Sequence, residues 1–273
     1  MAAKIRVEKF LELFEKSIKA LAAALLFMAL FLAFMHHFYW QYGIDKNNIP
    51  ASFFDLDSES TVCSWFASLQ WFAIGFLALL AYYLEYLFEV SGRLRMWWLV
   101  VALVFVIASM DEASIFHETA GELLEPVFAA QGLGGSVWTY FRESPWLVFY
   151  TWPLVAFILF TLWFLSDRLK ELKRAGFFCA LGFALLVVAL VIEFVQGMPY
   201  EKLTPIALWF NTTCPDFYNY SVLIEETFEN LGSASILVSF MCYVYSLLKS
   251  NLGVLNLSDE IESPASSQDR EGM

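Results

Sequence analysis

Charge is scarce in this chain. Only 16% of its 273 residues are Asp, Glu, Lys or Arg, and the basic ones number 16 against 28 acidic. That excludes a nucleic-acid surface, which needs clustered Lys and Arg to neutralise phosphates. Histidine occurs three times and cysteine four times. There is no His-Glu-x-x-His pair, which excludes the usual helical zinc site, and no Glu-x-x-His pair, which excludes the di-iron site of helical bundles. The chain also has no Gly-rich phosphate loop, no internal repeat, no low-complexity tract and no recognisable Ser or Cys nucleophile motif.

What fills the chain instead is apolar. Hydrophobic residues make up 59% and aromatics 18%, with a mean hydropathy of +0.60, more than one water-soluble core of this size can hide. Six apolar runs lie near residues 20–41, 63–88, 97–116, 146–166, 175–196 and 220–248. Each is long enough to cross a hydrocarbon layer of about 30 Å at about 1.5 Å per residue. The expectation is an all-α integral membrane protein, a six-span helical bundle whose membrane domain covers residues 20–250. The first run follows a charged segment and precedes no small-residue cleavage site, so it reads as a span rather than a signal peptide.

Charge asymmetry orients the bundle. With the N-terminus in the cytoplasm, 13 of the 16 basic residues fall inside and only Lys46, Arg142 and Lys202 outside. Both termini are then cytoplasmic. The short connections SGRLRM and SDRLKELKR become inner loops. Sixteen acidic residues against those three basic ones give the outer half a charge of −13, while the inner half stands at +1. Such an outer face favours cations.

Residues 1–19 place Val7, Phe10, Leu11, Phe14 and Ile18 at helical spacing with Lys and Glu between them. This reads as an amphipathic helix on the inner membrane surface, or as a soluble extension of the first span. The Ser-rich stretch 251–273 lacks apolar periodicity and is expected to be a disordered cytoplasmic tail. In the first outer connection Asp55, Asp57 and Glu59 alternate as at the start of a calcium loop, but the Gly and the distal Glu are missing, so a solvated acidic loop is expected. Cys63 and Cys214 both fall on the outer side, where a disulfide between them is a candidate; Cys179 and Cys242 fall within spans. Asn211-Thr212-Thr213 forms a glycosylation sequon.

The stretch ASMDEASIFHETAGELLE, residues 108–125, concentrates ionisable groups at the end of the third apolar run. Read as one continuing helix, Asp111, Ser114, Glu118, Glu122 and Glu125 fall within an arc of about 80°, His117 lies beside them, and Glu112 points away. The sixth run opens YSVLIEETFENLGSAS and supplies Glu225, Glu226 and Glu229. Glu193 sits near the outer end of the fifth run, and His36 and His37 close the first. The topology sets all of these at one membrane depth. Ionisable groups there are costly and face a bundle interior or a water-filled cavity. Near the inner ends, only Glu85 and Glu89, close in sequence to Arg93, stand out.

The combination FDLDSES, SWFAS, MDEASIFHE and IEETFENLG resembles a group of uncharacterised bacterial multi-pass membrane proteins, which carry an Asp-Glu-(x)-Ser-(x)-His-Glu stretch at the end of one span and Glu-Glu-(x)-Glu-(x)-Leu-Gly in a late one. The likeness runs from about residue 54 to residue 235. It implies a bacterial inner-membrane location and pairs Asp111, Glu112, His117 and Glu118 with Glu225, Glu226 and Glu229. It implies no mechanism.

Such a cluster suits binding of a divalent cation (zinc, iron or manganese) or exchange of protons, coupled to transport or sensing. One rival is a metal-dependent hydrolase or oxidoreductase acting on a lipid-like substrate that enters from the bilayer. Another is an accessory subunit whose polar residues only clamp helices together. The expected partners are the lipid bilayer and a cation or lipid-like ligand.

Overall fold

The computed structural model describes residues 2–41, 53–58, 61–90, 93–130 and 146–262. All regular elements among them are helical: α1 (Ala2–Gln41), α2 (Val62–Leu87), a 3-10 turn (Arg93–Met96), α3 (Trp97–Ser114), α4 (Phe116–Ala130), α5 (Trp146–Leu169), α6 (Lys173–Gln196), α7 (Tyr200–Trp209) and α8 (Cys214–Glu262). Six of these, α1, α2, α3, α5, α6 and α8, are long and apolar enough to cross a membrane. The expected six-span all-α bundle is therefore the fold.

Helix α8 is its axis. It is the most buried of the spans and packs along α6, α1 and α2, while α3 packs along α2 and reaches α8 through Trp98 and Phe105. Small residues allow two close crossings. A Cβ on Gly182 of α6 would stand 2.7 Å from the Gly232 carbonyl and 2.6 Å from Ile236 of α8, so the two backbones meet where neither carries a side chain. Gly75 of α2 plays the same part against Ala102 and Val106 of α3, where the Ser68 hydroxyl also donates to the Ser109 carbonyl at 2.8 Å. The start of α2 is fixed by a capping box: the Thr61 hydroxyl accepts the Cys63 and Ser64 N–H groups, and the Ser64 hydroxyl accepts the Thr61 N–H.

Two buried polar groupings cross between spans. In the middle of the bundle the Gln70 amide donates to Asn230 Oδ1 and accepts from the Ser233 hydroxyl, both at 3.1 Å. Nearer the end where α1 begins and α8 finishes, Glu85 is 0% exposed. One of its oxygens accepts from Trp98 Nε1 at 2.7 Å and from the Tyr243 hydroxyl, and the other lies 3.2 Å from the Arg168 guanidinium. The described counter-charge of Glu85 is thus Arg168 of α5, 83 residues away in sequence yet adjacent in space. Trp98 is itself packed edge-on against Phe164 and Phe240, so this pocket is both aromatic and dry.

The 40 residues of α1 and the 49 of α8 correspond to about 60 and 74 Å at 1.5 Å per residue, well beyond the hydrocarbon thickness. The amphipathic segment before residue 20 continues into the first span without a break. Along it Phe14 stacks on Tyr245 of α8, and the Tyr245 hydroxyl donates to Glu15 at 3.3 Å. Helix α8 runs on to Glu262, past the loss of apolar periodicity at residue 251, and the remainder of the expected tail, 263–273, lies outside the described residues.

The 108–125 stretch is not one helix. Ile115 adopts a left-handed backbone, φ 55°, and ends α3, with its N–H donating to the Asp111 carbonyl; α4 starts at Phe116. A β-branched residue in that region is strained. The single stripe expected to carry Asp111 through Glu125 is therefore split between two helices.

Candidate functional site

A cavity of about 600 Å³ opens among α2, α3, α5, α6 and α8 at the end of the bundle away from the termini. Its rim is acidic. Asp111 and Glu112 come from the last turn of α3, Glu193 from the end of α6, and Glu225, Glu226 and Glu229 from α8, with Asp57 from the connection before α2. Its floor is apolar, with Trp71, Phe105, Phe157, Ile158 and Phe183. On α3 and α6 the aromatic positions lie six and ten residues below the nearest rim carboxylate, about 9 to 15 Å deeper along the helix. None of the described lining residues is basic.

Six of the anticipated residues are thus brought together: Asp111, Glu112, Glu193, Glu225, Glu226 and Glu229. Glu112 corrects the wheel, which turned it away. The cavity flanks α3 along residues 104, 105, 107, 108, 111 and 112, a stripe broad enough to take two neighbours about 100° apart. His117 and Glu118 fall on α4, and their side chains lie outside the described residues. Glu193 of α6 lies within hydrogen-bonding reach of Glu225 of α8, with Glu226 and Glu229 within electrostatic reach of Glu225. Glu225 is only 5% exposed.

His36 and His37 line no part of this cavity. His36 is buried beneath the 53–58 segment, where its Nδ1 accepts the Leu56 N–H at 2.9 Å. Asp55 lies 3.5 Å from the same nitrogen, but a nitrogen that accepts carries no proton, so this contact is not an ion pair. His37 instead stacks on Tyr220 and meets Trp40 edge-on. Asp55 also overturns the solvated-loop expectation. It is 4% exposed, accepts the Asp57 N–H at 3.2 Å and the Ser58 hydroxyl at 2.9 Å, and so holds the segment in the turn that presents Leu56 and Asp57 to the cavity.

The expected Cys63–Cys214 disulfide is absent, since both thiols are free. The reason is axial distance. Cys63 is buried within electrostatic reach of Glu226, whereas Cys214 is the first residue of α8, about 18 Å along that helix from Glu226.

Three lining residues were not anticipated. The Tyr218 hydroxyl donates to Asp57 at 3.3 Å, and Gln196, the last residue of α6, lines the cavity. Asp57 was visible in the sequence only as one of three alternating acids. No three His, Cys, Asp or Glu side chains among the described residues stand close enough together to hold a metal ion.

Fold and site together define a six-span helical membrane protein with an acid-rimmed cavity between its spans. The chain belongs to the family described as Domain of unknown function (DUF8692), which matches residues 20–244. No curated protein and no solved structure matches it.

Proposed function

We propose that this cavity binds cations and exchanges protons at the outer face of a bacterial inner membrane, with both termini cytoplasmic, and that its occupancy serves transport or sensing. The observation that carries this reading is the Glu193–Glu225 pair, within hydrogen-bonding reach of one another and set among five further carboxylates with no basic residue in the described lining. The two carboxyls share a proton, and the surrounding anions favour any positive charge that enters. A cation taken up at the rim displaces that proton. The orientation is supported by the 13 basic residues at the termini side.

Proton exchange needs only the carboxylates already gathered. A divalent metal, or an enzyme built on one, needs a closer ligand set than the described residues form. Contacts that clamp spans together are also found away from the rim, Gln70 with Asn230 and Ser233, and Glu85 with Arg168.

Infrared difference spectroscopy on the protein in nanodiscs tests the reading. The carbonyl stretch of a protonated carboxyl is expected in the wild type and is expected to disappear in Glu225→Gln and Glu193→Gln, with circular dichroism verifying helix content. A carboxyl region that neither substitution alters would refute it.

A further inference from the structure

We infer that the cavity accommodates an amphipathic organic cation: an ammonium group at the carboxylate rim, an apolar body on the aromatic floor, and an oxygen acceptor at Gln196. This deepens the proposed function and rests on it, because a rim that exchanges protons for cations is what admits the ammonium group.

Three independent features converge. The first is the gradient of polarity within one cavity, from Glu112, Glu193 and Glu226 at the rim to Phe105, Phe157 and Phe183 at the floor. A small hydrated ion uses only the rim, and a neutral lipid tail uses only the floor. A molecule that matches both is amphipathic and positive, and aromatic faces add cation–π attraction for an ammonium group that settles lower. The second is volume: about 600 Å³ lies within the roughly 300–1,000 Å³ range of sites that enclose small organic ligands, far more than a metal ion fills. The third is Gln196. It is 8% exposed, it lines the cavity, and its Nε2 has no hydrogen-bond partner among the described residues. A buried amide donor without an acceptor is costly, and a ligand oxygen near the ammonium group relieves that cost.

An ammonium group with a nearby oxygen and an apolar body has two sources, a free organic amine from outside or the headgroup of a membrane lipid such as phosphatidylethanolamine. The same chemistry binds either, and bilayer composition separates them.

The test uses the full chain in phosphatidylglycerol nanodiscs with two fluorescent probes, rhodamine 6G and fluorescein ethyl ester. Both carry a xanthene body and an ethyl ester, but the first is a cation and the second an anion. Saturable rhodamine 6G binding above that of empty discs is expected, without saturable binding of the anion. Glu226→Gln and Gln196→Ala are each expected to weaken it about ten-fold, the scale of one lost charge-assisted or buried hydrogen bond. Circular dichroism identifies any variant that fails to fold, and Glu112→Gln then stands in for it. Phosphatidylethanolamine in the disc that competes with the probe assigns the site to a lipid headgroup, and no competition assigns it to a free amine. No saturable rhodamine 6G binding, equal binding of both probes, or folded variants with unchanged affinity would each overturn the inference. If the carboxyl band behaves as expected while the probe fails to bind, the proton-exchange reading stands and only the organic ligand falls.

Discussion

Replacing Arg168 by methionine should be among the most damaging single changes in this protein, although it lies outside the cavity. Glu85 is fully enclosed. Trp98 and Tyr243 both serve one of its oxygens, and the Arg168 guanidinium, 3.2 Å from the other, is its one described counter-charge. Arg168→Met keeps most of the apolar stem but leaves a buried carboxylate uncompensated, a loss of about 3–5 kcal/mol. Glu85→Gln is milder, about 1–3 kcal/mol, because the amide oxygen still accepts from Trp98 and Tyr243, and Arg168 retains Asp167 at 3.8 Å. The double variant removes both charges at once and should lie close to Glu85→Gln alone, giving a coupling as large as the Arg168→Met loss itself, about 3–5 kcal/mol. That is well above the roughly 0.6 kcal/mol average of polar contacts between membrane helices. Equilibrium unfolding by SDS titration, followed by far-ultraviolet circular dichroism, measures all four corners of the cycle. Additive effects, or an Arg168→Met loss below about 1 kcal/mol, would show that Glu85 is not held as a charged pair.

Two further outcomes follow from backbone geometry, each read by the same unfolding titration. Gly182→Ala drives a methyl group to 2.7 Å from the Gly232 carbonyl and should cost about 1–3 kcal/mol, whereas Gly176→Ala, whose new Cβ would meet nothing nearer than 3.7 Å, should gain about 0.5–1 kcal/mol; equal effects would contradict the close α6–α8 crossing. Ile115→Gly should be neutral or stabilising by up to about 1 kcal/mol, since glycine tolerates φ 55°, while Ile107→Gly in the body of α3 should cost about 1 kcal/mol; matching losses would mean that the helix runs unbroken through residue 115.

The spans were legible because the bilayer imposes length and apolarity on each of them, and the six apolar runs differ from the helices by a few residues at most ends. The acid cluster was legible for the same reason: once topology fixes which ends share a depth, Asp111, Glu193 and Glu225 must lie near one another. What stayed hidden depends on rotation and local backbone. Nothing in the composition of ASIFHE announces a left-handed Ile115, because glycine, the usual signal, is not there. Gln196 is one of many polar residues at a span end until the packing of α6 points it inward. Arg168 reads as an ordinary inner-loop base under the positive-inside rule, and only the placement of α5 against α2 brings it to Glu85. Asp55 looked solvated since its partners, the Asp57 N–H and the Ser58 hydroxyl, are set by a loop whose fold no periodicity encodes.

The same packing bears on whether cavity occupancy is transmitted by flow or by movement. Polar groups recur down the α2–α8 seam, from Glu226 and Glu229 through Gln70, Asn230 and Ser233, and then again at Tyr243 and Glu85. Ser233 and Tyr243 stand ten residues apart on α8, about 15 Å of helix, and between them Ile236, Leu237 and Phe240 are buried against a seam that includes Ile74, Ala78 and Ala81 of α2. A bare charge crossing that dry layer meets a large desolvation cost, so this conformation is closed to flow along the seam. Yet Gly232, where α8 touches Gly182 of α6, lies one turn below Glu229, and Glu193 and Gln196 stand at the cavity end of that same α6. On the proposed reading, a cation drawn between Glu193 and Glu225 acts on both sides of this close α6–α8 crossing. Packed helices shift by rigid-body or shear movement, so on that reading the α6–α8 crossing is the element through which binding at the rim is felt below it.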